Sequence, residues 1–250
     1  MKKYTSVFGL FARSSIYKII LIIAAMAAVQ TSLFLTAFNK QMTAYESGVG
    51  LPSLERVFDY SDLYLIFIVG FVAISVLLCL TGTSFSSKTG YTLDRLSVSE
   101  RAVFFCQAIY NLLVFIILWA AELALCFGLS IYFIKNAPAE AVSNQTIFLA
   151  FYRDSFLHTL LPLSEVLLWI RNIFLLIALT IATAEYPYKQ RRKKLGLSAM
   201  AMIIFTVVFF KAGAIADTFN SFLVIVVAVI NVIEMCYNFF SEDNGYEGEN

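Results

Sequence analysis

Ile16 to Phe38 is an almost uninterrupted apolar stretch, close to the roughly 20 residues an α-helix needs to cross the ~30 Å hydrocarbon core of a bilayer. Comparable runs follow at Leu63–Leu80, Val103–Ile134, Leu160–Ala184, Leu197–Phe210 and Phe219–Phe240. Lipid offers the backbone no water to bond, so such runs fold as helices whose N–H and C=O groups pair internally. Composition agrees, with 60% hydrophobic and 14% charged residues, against roughly 45–50% apolar and about 25% charged in soluble domains. The expected fold class is an all-α integral membrane protein of six transmembrane helices, with residues 1–240 as the six-span domain and 241–250, "SEDNGYEGEN", as an acidic flexible tail.

A basic stretch precedes the first run and small residues cluster at Ala24 to Ala28. The run nevertheless exceeds the roughly 7–15 residues of a signal-peptide core, so it reads as a retained span. The fifth run is short, and Lys211 to Asp217 separates it from the sixth, which predicts a tight helical hairpin with a turn at Gly213.

Basic residues in short flanking segments set orientation. Lys2, Lys3, Arg13 and Lys18 precede the first span, Lys88, Arg95 and Arg101 lie between the second and third, and Lys189, Arg191, Arg192, Lys193 and Lys194 lie between the fourth and fifth. These segments alternate, as segments on one side must. They are assigned to the cytoplasm, which puts both termini there and makes the chain a multi-pass protein of the cell membrane. Val7, Leu10 and Phe11, flanked by Lys3 and Arg13, have the spacing of an N-terminal interfacial helix. On the other side, Phe148 to Leu163 reads as a second interfacial helix leading to Pro162. The basic run Tyr188 to Gly196 reads as a topology-setting loop that can also meet anionic lipid.

With 18 basic and 17 acidic residues the net charge is +1, so no global basic surface calls for nucleic acid. Cys79, Cys106, Cys126 and Cys236 lie in or beside apolar runs without metal-ligand spacing, and read as small buried residues. The single histidine, His158, is a poor start for a zinc site and reads as an interface residue. There is no His-Glu-x-x-His sequence, no second histidine, and no Gly-x-x-x-x-Gly-Lys-Ser/Thr phosphate loop. An intramembrane enzyme therefore lacks its groups, and the chain has no ATPase motif of its own.

One polar interruption stands out, "TGYTLDRLSVSERAVFFCQ" from Thr89 to Gln107. Ser97 and Glu100 have the Ser-x-x-Glu spacing of a helix capping box, which predicts a helix starting near Ser97 and running into the third span. Ahead of it, Tyr91, Leu93 and Leu96 are apolar while Asp94 and Arg95 are charged. A short amphipathic element of this kind suits a groove on a soluble partner; the plainer reading is a solvated loop.

This arrangement resembles the membrane subunits of type-2 ABC exporters. In that family the loop between the second and third spans carries Thr-Leu-x-x-Leu-Pro-Val-Ser followed by a charged pair, and here it is Thr92-Leu93-Asp94-Arg95-Leu96-Ser97-Val98-Ser99-Glu100-Arg101. The departure is Ser97, where the family usually has Pro. The resemblance implies a cytoplasmic coupling element, Tyr91, Thr92, Leu93, Asp94, Arg95 and Leu96, that touches a separate ABC ATPase subunit. It implies no cofactor on this chain, ATP and Mg on the partner, and a second permease subunit, identical or homologous, to complete the pathway. The expected function is then a permease subunit of an ATP-driven exporter. The alternatives are a substrate-binding membrane component of an uptake system and an accessory membrane protein without transport activity.

Ionisable side chains within spans are costly and usually face a bundle interior or a wet cavity. Glu122, expected near the middle of the third span, is the candidate pathway or gating residue; its alternative is a carboxyl hydrogen-bonded to a neighbouring helix. Glu165 and Arg171 are six apart, so each is expected to meet another helix or the interface rather than the other. Gln30, Asn231 and Glu234 are further polar points.

Overall fold

α1 is a single helix from Lys2 to Glu46 in the computed structural model of the chain, which describes residues 2–83, 99–191, 196–212 and 218–247. Its 45 residues extend about 68 Å at ~1.5 Å per residue, roughly twice the hydrocarbon thickness. The segment expected as a separate interfacial helix is continuous with the span, because a lone Gly9 is too weak a breaker to end a helix. Val7 and Phe11 are fully buried there, with the rings of Phe8 and Phe11 on Tyr110. Gly48, at φ +79°, ends the helix, and Val49 N–H reaches back to the Ala44 carbonyl at 2.9 Å in the manner of a Schellman stop.

Beyond it, α2 (Leu54–Tyr60) is capped by Ser53, and α3 (Leu63–Leu80) follows. α4 (Glu100–Asn136) is next, then one 3₁₀ turn at Ala139–Ala141. α5 (Thr146–Arg153) and α6 (Ser155–Leu160) replace the single interfacial helix expected over this region. The break falls at Asp154, whose Oδ1 accepts the Leu157 N–H at 2.8 Å and so starts a new helix. α7 (Val166–Arg191), α8 (Leu197–Ala212) and α9 (Thr218–Glu247) complete the chain. α9 continues past the boundary expected at 240.

All described elements are helical. Four helices, in α1, α3, α4 and α7, are long and apolar enough to cross a membrane, and shorter apolar helices occupy Leu197–Phe210 and Ser221–Tyr237. α7 is the hub, packed on α3, α4, α8 and α9, while α1 packs on α3 and α4. Large apolar side chains such as Leu65, Val69, Ile109, Ile173 and Ile204 point outward, whereas Gln30, Asn111, Glu122 and Arg171 are buried. An apolar exterior around polar interior contacts is the distribution expected when lipid is the solvent.

Candidate functional site

The polar loop after α3 begins on residues bonded to two other helices, α4 and α7. Thr81 ends α3 in extended conformation, its hydroxyl returned to the Leu77 carbonyl at 2.8 Å. Gly82 follows at φ +89°, a region that glycine alone enters cheaply. A Cβ there would lie 3.2 Å from Phe11 Cε1 of α1. This sharp exit leaves two carbonyls without helical partners, and both find one. Gln107 Nε2 of α4 donates to the Thr81 carbonyl at 2.9 Å, and Arg191 Nη1 of α7 donates to the Gly82 carbonyl at 3.2 Å. An amide in the apolar second turn of a span is explained by this bond, since an unpaired buried amide is costly.

Further contacts join the helices around this root. Ser15 Oγ donates to the Phe11 carbonyl at 2.9 Å and lies 2.7 Å from the Tyr110 hydroxyl, which ties α1 to α4. Asn111 Nδ2 donates to Thr183 Oγ1 at 3.0 Å, tying α4 to α7. At the end of α7, the buried Glu185 accepts from Lys189 Nζ at 2.7 Å and from Ser198 Oγ of α8 at 2.8 Å. The Gly82 end of the bundle is therefore cross-braced through all five of α1, α3, α4, α7 and α8.

Of the residues expected to contact an ATPase, Tyr91, Thr92, Leu93, Asp94, Arg95 and Leu96 lie outside the described residues, as does Ser97. The hinge expected at Gly213 and most of the basic run after Arg191 lie outside them too. Glu100 is described, and it is the first helical residue of α4, with Ser99 extended at the N-cap. The helix thus starts three residues after the position expected from the Ser97–Glu100 spacing. Its first turn still carries Glu100, whose charge suits a helix N-terminus.

Glu122 is fully buried near the middle of α4, the position expected for it. Gln30 Nε2 of α1 donates both to Glu122 Oε1 at 2.6 Å and to the carbonyl of Leu63, the first residue of α3, at 3.2 Å. Since Gln107 is level with the last residues of α3, Glu122 is level with its other end. α4 is longer than α3, 37 residues against 18, so the middle of α4 lies beside the first residue of α3. Trp119 and Trp169, stacked at 6.0 Å and bonded to the carbonyls of Leu160 and Pro162, mark the same level, where indoles favour a membrane interface. Gln30 Oε1 and Glu122 Oε2 are buried with no partner among the described residues. Glu122 is thereby a shared contact of α1, α3 and α4, close to the end of the bundle that holds α2 and α6.

That end carries an acidic cavity of about 170 Å³, walled by Asp59, Asp62, Tyr64, Asp154, Ser155 and Thr159 among others. Burial, reinforced by the Asp59 carboxylate, pushes the Asp154 carboxyl up to about 6 despite the Leu157 N–H that it accepts. Arg153 pairs with Glu55 at 3.4 Å between α5 and α2, and His158 with Glu165 at 3.8 Å. Among the described residues, no group of three or more His, Cys, Asp or Glu is arranged to hold a metal ion.

Sequence reading missed Gln107 and Arg191 as a pair of loop anchors. Their signal was present, a lone amide in an apolar run and a cation at the end of a span, but the carbonyls they meet belong to backbone that no side-chain pattern reveals. No protein-family model, curated protein or solved structure matches the chain.

Proposed function

We propose that the chain is a permease subunit of a type-2 ABC transporter working as an exporter, with its ATPase on a separate polypeptide. In this reading α8 and α9 complete six spans, the Gly82 end faces the cytoplasm together with both termini, and Tyr91 to Leu96 form the contact with the ATPase. A second permease subunit completes the pathway.

The observation that carries the reading is the braced root of the loop. Gln107 and Arg191 hold the Thr81 and Gly82 carbonyls from α4 and α7, and the loop rejoins the bundle at Glu100, the start of the longest described helix after α1. A push on the loop is then delivered to several helices rather than absorbed in a slack connection. ATP-driven closure of the partner subunits would move α4 against α1 and α3, and Glu122 with Gln30 lies at the far end of that lever. Such a device requires two packed arrangements of comparable free energy, not a continuously deformable bundle.

The test is capture of the tagged protein from its native membrane in mild detergent, followed by identification of bound subunits. A phosphate-loop ATPase is expected with the wild type and is expected to be lost from a Leu93→Asp, Leu96→Asp double variant. An intact, well-inserted protein that brings down no ATPase contradicts the proposal and favours an accessory role.

A further inference from the structure

Arg171 is a buried cation without a buried anion. It lies about 7.5 Å along α7 from Val166, counting ~1.5 Å per residue, and only 2% of its surface is exposed. Its hydrogen bonds run to one neutral atom, Asn172 Oδ1, from Nε at 3.3 Å and Nη2 at 3.1 Å. Among the described residues it makes no ion pair; Glu165 is near enough to be felt, yet its carboxylate is directed to His158 Nε2 at 3.8 Å. Guanidinium groups in apolar surroundings are ordinarily matched by an anion, and their planar fork fits carboxylate or phosphate oxygens.

Asn172 connects this cation to a cavity. Its Nδ2 donates to the Thr159 carbonyl at 2.8 Å, and its side chain belongs to the wall of an open cleft between α3, α4, α7 and α8. Apart from Thr206 the rest of the wall is apolar, including Phe67, Phe71, Phe115, Leu176 and Phe210. The cleft runs from Leu160 and Asn172, at the Asp154 end, toward Leu179 in the interior of the bundle. Asn172 thus stands between the cation, which it bonds, and the apolar trough, whose wall it joins.

We propose that Arg171 and this cleft form a binding site for an anionic membrane amphiphile, its carboxylate or phosphate head on the Arg171 guanidinium and its acyl chain along Phe67, Phe71 and Leu176. The assignment rests on the cation and the cleft and does not require the transport reading.

The experiment is photolabelling of the full-length protein in phosphatidylcholine nanodiscs with diazirine-bearing palmitic acid, and in parallel with the matching uncharged alcohol. Saturable labelling by the acid is expected on the peptides holding Phe67–Phe71 and Thr206–Phe210, with the alcohol binding at least about tenfold more weakly, the loss of a charge-assisted hydrogen bond. Arg171→Gln should weaken the acid to the same extent, and Arg171→Lys, which keeps the charge, should retain most of the binding. Leu176→Trp, which fills the trough, should abolish labelling of both peptides and decides the matter if Arg171→Gln does not fold. Equal half-saturation for acid and alcohol, or labelling that Leu176→Trp leaves unchanged, would overturn the proposal. Neither ATP nor a partner protein enters this test, so its failure is distinguishable from failure of the permease reading.

Discussion

Gly82 shows how one backbone angle organises the loop root. At φ +89° an added side chain is strained, and its Cβ would also press on Phe11. Gly82→Ala is therefore expected to cost about 1–3 kcal/mol and to lower the thermal midpoint in detergent. Gly9 is the contrasting case, because it is helical and a Cβ there meets nothing within 4 Å. Gly9→Ala should leave the midpoint unchanged or raise it, by up to about 1 kcal/mol in stability. Equal effects at the two positions would refute the role given to the turn. At Glu122 the relevant quantity is its coupling to Gln30 across 2.6 Å. A double-mutant cycle with Glu122→Leu and Gln30→Leu is expected to give about 0.6 kcal/mol, the average for polar pairs between membrane helices, and no more than about 1.7 kcal/mol, whereas Glu122→Gln should keep much of it. A coupling of zero would mean that the contact does not hold α1 to α4.

The short helices at the Asp154 end give the fold a pH dependence. The Asp154 carboxyl is raised to about 6 by burial first and by Asp59 second, so the folded state favours its protonated form. The stabilisation is fully present below the ordinary carboxyl range and is lost as pH rises through about 6. The titratable groups facing it are Asp59 on α2 and Asp62 and the neutral Tyr64 around the cavity, with the Arg153–Glu55 pair alongside. Hydrogen exchange of the Ser155–Leu160 amides should accelerate between about pH 4 and pH 7, beyond the intrinsic chemical trend. Asp154→Asn, which keeps a capping oxygen, should remove that extra dependence; if the variant retains it, the titrating group lies elsewhere. None of this was legible in the sequence, where Asp154 lies within Phe148 to Leu163, the stretch expected to form one interfacial helix. What apolar runs do reveal is the elements themselves. Leu63–Leu80 was read with both ends as they stand in α3, and Val103–Ile134 lies inside α4. The fourth run was read from Leu160, but α7 begins at Val166, because Pro162 and the residues around it end α6 first. Hydropathy measures how long a segment is apolar; it does not measure where a neighbouring helix stops, which is why the meeting of Glu122 with the start of α3 through Gln30 was not legible.

At the scale of the molecule, α7 braces the bundle and the Gly82 end is cross-linked through five helices. The bracing contacts are pairs distant in sequence, such as Arg191 with Gly82 and Asn111 with Thr183, so the site becomes visible only when the helices are packed. If the loop transmits force through this root, loosening the root should uncouple the machine without dissolving it. Gln107→Leu combined with Arg191→Ala is expected to retain a bound ATPase while weakening the link between substrate and ATP turnover. The most direct measurement is ATP hydrolysis by the assembly captured with this chain, embedded in nanodiscs. The account predicts hydrolysis at a rate altered by the root double variant, and no captured ATPase activity with Leu93→Asp, Leu96→Asp. Wild-type protein that inserts and packs correctly yet never carries ATPase activity, or activity indifferent to all four substitutions, would contradict it.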